Sequence, residues 1–141
     1  MPLIGGSVAL KLILLNLTFV TSYSLAQTDH RAVYETQNLL RDPDRRGQII
    51  RYDSKAREAD DFASKAVGGN SQQKHELYNI SSDIFAVMSN ASGGDAQKMK
   101  EQLLKATQNP EQFLKSLPPE IQAKIKSVAD KTGQNKNNVN P

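Results

Sequence analysis

The chain has 141 residues, 38% of them hydrophobic, and its 18 Lys and Arg against 15 Asp and Glu leave a formal charge of +3. That balance is too even to demand a nucleic acid or another polyanion as partner. With no cysteine anywhere, disulfide staples, thiol catalysis and a thiol-anchored lipoprotein are excluded.

Residues 1–26 read as a leader and not as part of a fold. Lys11 precedes the apolar run Leu12 to Val20, and a polar stretch ending Ser24-Leu25-Ala26 follows it. A positive start, an apolar centre and small residues at alternate positions form the pattern of a secretory signal peptide. Cleavage is expected after Ala26, with Ser22 and Ser24 as alternatives. The run is too short for a spanning helix, which needs about 20 apolar residues, and Asn16 and Thr18 dilute it further. The expectation is an exported protein, periplasmic or secreted, whose mature part of 115 residues begins at Gln27 and carries +2.

Asp29 to Leu40 predicts a short helix with Val33, Gln37 and Leu40 on one side, ended by Arg41-Asp42-Pro43-Asp44, because proline disfavours helical geometry in the residue before it. Residues 27–46 are therefore expected to be an N-terminal helix and linker. From Ile49 the spacing sharpens: Ile49, Tyr52, Ala56, Ala59, Ala63 and Ala66 recur at steps of three and four, with Phe62 beside them. This predicts one amphipathic helix stopped by Gly68-Gly69. Asn70 with Gln73 three residues on is a capping-box start.

The next stripe is Leu77, Ile80, Ile84, Val87 and Ala91, widened by Phe85 and Met88 and stopped at Gly93-Gly94. Asp95 opens a helix with Ala96, Met99, Leu103 and Ala106 aligned. Asn109-Pro110-Glu111-Gln112 starts a short one bearing Phe113, Leu114 and Leu117. Pro118-Pro119 restarts the chain, and Ile121, Ile125 and Val128 make the last stripe before Gly133. No strand periodicity appears between Ile49 and Lys131. The fold class expected is all-α, a small bundle of about four to six short helices over residues 47–131, with 132–141 a disordered, asparagine-rich tail. Because alanine buries little area, most of the core should come from Phe62, Phe85, Phe113, Leu77, Ile84, Leu103, Ile121 and Ile125.

Motifs that could carry chemistry are thin. His75-Glu76-Leu77-Tyr78-Asn79 is similar to the zinc pattern His-Glu-x-x-His, but Asn79 stands where the second imidazole belongs, so a solvated helix face accounts for it. Asp60 and Asp61 are neighbours on a helix and point about 100° apart, unlike the facing carboxylates of a glycosidase. No nucleophile elbow, phosphate loop or calcium loop is present, and no cofactor or metal is implied. The sequons Asn79-Ile80-Ser81 and Asn90-Ala91-Ser92 are treated as chance matches in an asparagine-rich chain.

The one asymmetry is arginine. All six lie in the first part of the mature chain, and Arg41, Arg45, Arg46, Arg51 and Arg57 form a weak candidate interaction surface. Acids interleaved with them favour a solvated, internally paired face over a dedicated anion site.

Leu117-Pro118-Pro119-Glu120-Ile121-Gln122 resembles, over six residues, the Leu-Thr-x-x-Gln signature of the Spy and CpxP group of periplasmic helical chaperones. It lacks the threonine, places the glutamine one position late and has no second copy. Membership is not inferred from it, since a proline-started helix explains the same residues.

Taken together, the residues point to an exported, non-enzymatic helical protein that works by binding or scaffolding. Its expected partner is another protein or a second copy of itself, met through the alanine-lined face of Ile49 to Ala66 or apolar surface at Phe113 to Leu117. The alternatives are a small cell-wall-directed hydrolase using Glu76 or another acid, and weak contact between the arginine-rich segment and an anionic membrane surface.

Overall fold

The computed structural model describes residues 30–138, so the leader expected at Met1 to Ala26 lies outside the described residues. These form seven helices and no strand: α1 His30–Arg41, α2 Pro43–Tyr52, α3 Ser54–Ala66, α4 Ser71–Ser92, α5 Ala96–Gln108, α6 Pro110–Ser116 and α7 Pro119–Asn138. The all-α expectation holds, and the element starts read from capping residues are where they should be. The side chain of Asn70 accepts from the Gln73 amide, that of Asp95 from Lys98 and that of Asn109 from Gln112, each satisfying an amide that the helix itself leaves unpaired. None of the described helices is long and apolar enough to cross a membrane.

The two glycine pairs make the same corner twice. Gly69 N–H donates to Ser64 C=O and Gly68 N–H to Lys65 C=O, and Gly94 and Gly93 repeat the pattern with Ser89 and Asn90. This is a Schellman arrangement, and its left-handed backbone (φ +63° and +78° at the first corner, +62° and +78° at the second) requires glycine.

α4 is the axis of the fold. Leu77, Tyr78, Ile80, Ser81, Ser82, Ile84, Phe85, Met88, Ser89 and Ser92 are all buried, a wider arc than a one-sided stripe, because α1, α5 and α7 all pack around it. Its buried serines turn their hydroxyls back on the chain: Ser81 donates to Leu77 C=O and Ser92 to Ser89 C=O. The core joins Leu40 at the end of α1 and Val67 after α3 to α4, to Met99, Leu103 and Ala106 of α5, to Leu117, and to Ile121, Ile125 and Val128 of α7.

Several expectations are corrected. The helix expected from Ile49 to Ala66 is two helices: Asp53 is extended, and its carboxylate accepts from the Lys55 and Ala56 amides, so it ends α2 and caps α3. The break turns Tyr52 outward to 90% exposure. Phe62, counted toward the core, is 49% exposed; it sits one residue, and so about 100° of helix, away from the inward Ala63. Phe113 packs on the core only in part.

The boundary expected at residue 47 falls inside α2, and α1 lies along α4 with Leu40 1% exposed. Gly133 does not stop the last helix. Its backbone stays helical, positive φ among the described residues being confined to the two corners, so helix runs on through the start of the segment expected as a tail.

Candidate functional site

The five arginines proposed as a surface do not converge. Arg41, at the end of α1, reaches α4: its Nη2 lies 3.0 Å from Asp83 Oδ1 and its Nε donates to Ser82 Oγ at 3.0 Å. Asp83 also receives Lys124 of α7 at 2.8 Å, so one half-buried carboxylate joins α1, α4 and α7. Arg45 pairs locally with Asp42 at 3.5 Å. Arg57 folds back from α3 and donates to the carbonyls of Ile50 and Arg51, closing the last turn of α2 in the manner of a cation at a helix C-terminus. Arg51 is exposed.

Arg46 is the exception, and it is not a surface residue. Its side chain is buried, its Nη1 donates to Leu40 C=O at the end of α1, and its guanidinium carbon lies 4.0 Å from the centroid of the Tyr78 ring. Desolvated cation–π contacts of this kind contribute about 2 kcal/mol. Burial lowers the Arg46 pKa, while Tyr78, Asp60 and Asp42 act in the opposite direction.

The same ring leads to a second interaction. Tyr78 Oη donates to Asp60 Oδ1 at 2.8 Å, and Lys74, one turn earlier on α4, places Nζ 3.0 Å from Asp60 Oδ2. Burial first, then the bond to Asp60 and its charge, push the phenol well above its ordinary value, against the opposing effect of Arg46. Arg46 from α2, Asp60 from α3, and Lys74 and Tyr78 from α4 thus form one polar cluster at the seam between α2–α3 and the central helix.

In the sequence Asp60 stands out only as half of an adjacent acidic pair, and Tyr78 only inside the zinc-like motif. The pairs that matter are 14 and 18 residues apart, a separation for which no local periodicity gives a signal.

The zinc-like segment has no metal geometry. Among the described residues no three His, Asp or Glu side chains come together as a ligand set. The carboxylate of Glu76 is held by Lys131 of α7 at 3.2 Å, and His75 keeps Nδ1 buried with no hydrogen-bond partner. Gln122, the glutamine of the chaperone-like segment, donates from Nε2 to Leu117 C=O at 2.6 Å and to Lys115 C=O at 3.3 Å. It closes the end of α6, a purely local task.

Large apolar side chains left in the open are Tyr34 on α1, Tyr52 on α2, Phe62 on α3 and Leu104 on α5. The alanine face expected to meet a partner is already occupied: Ala56 and Ala63 are buried within the chain. Leu117 is likewise buried. No family model, curated protein or solved structure matches the chain.

Proposed function

We propose that this chain is an exported, non-enzymatic helical protein that acts by association with a protein partner or a second copy, and that α2 and α3 present the contact. The observation that supports this reading is the outward placement of two aromatic side chains on these short helices, Tyr52 nearly fully exposed and Phe62 half exposed. Aromatic side chains offer large contact area with few torsions to immobilise, which suits an interface anchor. Arginines alternate with acids around them, a rim that would orient a partner more than strengthen it. Export rests on the leader pattern of Met1 to Ala26.

The test is photo-crosslinking from position 62 in the exported protein. A discrete adduct that is lost in the Tyr52→Ser variant supports the reading. A strictly monomeric protein with no adduct overturns it. N-terminal sequencing of the exported material should begin at Gln27, and an intact Met1 would overturn the export half alone.

A further inference from the structure

The main apolar cluster contains no residue of α2 or α3. Its members come from α1, α4, α5 and α7, with Leu40 and Val67 at the two points where the α2–α3 segment leaves and rejoins the core, and Leu117 from the α6–α7 link. Both flanking residues are 1% exposed. Asp42, two residues past Leu40, is extended, and the Gly68–Gly69 corner follows directly on Val67, so regular helix breaks at both ends of the segment. What α2 and α3 bury is Arg46, Ala56 and Ala63, one cation and two of the smallest side chains.

We propose that α2–α3, residues 43–66, is a conformational unit that detaches and melts cooperatively while α1, α4, α5 and α7 stay packed. The Arg46–Tyr78–Asp60–Lys74 cluster is the latch that sets how often it does so.

Three physical points carry this. Detachment takes only Ala56 and Ala63 out of the apolar interior and uncovers the one ring of Tyr78, and cooperative units with few buried apolar contacts open at lower free energy than the whole fold. Leu40 and Val67 hold the ends, so the core need not move when the segment between them leaves. Helices of 10 and 13 residues are marginal in water without tertiary support, so the segment melts once it is off. Opening breaks the Tyr78–Asp60 and Lys74–Asp60 bonds and removes Arg46 from Leu40 C=O and from the Tyr78 ring. It thereby uncovers an aromatic face of α4.

Native-state hydrogen exchange on the full chain, followed across sub-denaturing urea, tests the proposal. The interior amides of α2 and α3 are expected to exchange as one group, faster than those of Leu77 to Met88 and with a shallower urea dependence, because their opening exposes less surface. Ile125→Val, a mild core change in α7, should speed exchange of α4 and leave that of α2–α3 unchanged. Tyr78→Phe, which deletes the hydroxyl bonded to a carboxylate, should speed exchange of α2–α3 by about 10- to 100-fold. If α2–α3 and α4 exchange together with one urea slope in the unsubstituted protein, the proposal is wrong. It is equally wrong if Ile125→Val accelerates both segments by the same factor. Neither outcome depends on whether Phe62 finds a partner, so this inference and the binding reading can fail separately.

Discussion

α2 and α3 together hold about as much helix as α4, yet the two regions are kept in place by different physics. α4 is wrapped by aliphatic side chains and Met99 from three other helices, a non-directional attraction that grows with the area removed from water. α2–α3 is held by two alanines, a cation stacked on a ring, and a carboxylate shared between a phenol and an ammonium. Those contacts are directional and few, and losing one leaves its partner buried without compensation. One chain therefore combines a segment whose stability is spread over many contacts with one whose stability is concentrated in four polar side chains.

The largest effect should separate the regions directly. Ile84 is completely buried in α4, and Ile84→Ala should cost about 2–5 kcal/mol by leaving a cavity in the core. Phe62→Ala, which removes a larger side chain from α3, should cost about 0.5 kcal/mol or less, as exposed positions do. Urea denaturation measures both. Comparable losses for the two would end the distinction between regions.

Alkaline pH should act on the latch. The Tyr78 phenol is raised from its ordinary value of 10.0 by burial and by its bond to Asp60. Between the two values the unfolded chain releases this proton and the folded chain keeps it. The native state is then the one holding more protons, and stability falls as pH rises. Above pH 10 the loss from this group should approach about 1.4 kcal/mol per pH unit. Denaturant titrations at pH 9, 10 and 11 should show a steeper fall for the unsubstituted protein than for Tyr78→Phe. Equal slopes would mean the phenol is not held as the structure has it.

Two cap deletions of similar size should report on different regions. Asn70→Ala removes the α4 cap and Asp53→Ala the α3 cap, each lowering global stability by about 1 kcal/mol. Only Asp53→Ala should also accelerate amide exchange within α2–α3, because its hydrogen bonds are lost when that segment melts alone. Acceleration by Asn70→Ala as well would place α4 inside the same unit.

What was legible in sequence was whatever is local. Asn70, Asp95, Asn109 and the glycine corners act within six residues, so their spacing reveals their work, and the all-α class follows from the stripes between them. Asp53 gives no sign of its role because the apolar spacing from Ile49 and Tyr52 to Ala56 runs unbroken across it, and a stripe cannot show that two of its members belong to different helices. The hydrophobicity of Phe62 does not make it inward: the inward positions of α3 are the smaller Ala56 and Ala63. Arg46 could not be told from Arg45 by sequence: one faces the ring of Tyr78, 32 positions on, and the other faces water. The candidate site depended on such long-range pairs almost entirely, which is why the fold could be read and the cluster could not.

The smallest expected effect decides whether burial or mere polarity makes the latch matter. Glu76 of α4 and Lys131 of α7 also join two helices by an ion pair at 3.2 Å, but their side chains are 30% and 46% exposed. Water solvates both partners when the pair breaks, so Lys131→Ala should cost about 0.5 kcal/mol or less, and the loss should shrink further in added salt. Asp60 differs in sitting between a buried ring and a half-buried ammonium, where water cannot replace the lost partner as readily. Thermal denaturation of Lys131→Ala at low and high ionic strength measures the exposed case. A cost matching that of Tyr78→Phe would show that any inter-helix polar contact serves equally, and the seam at Tyr78 would lose its claim to be the controlling one.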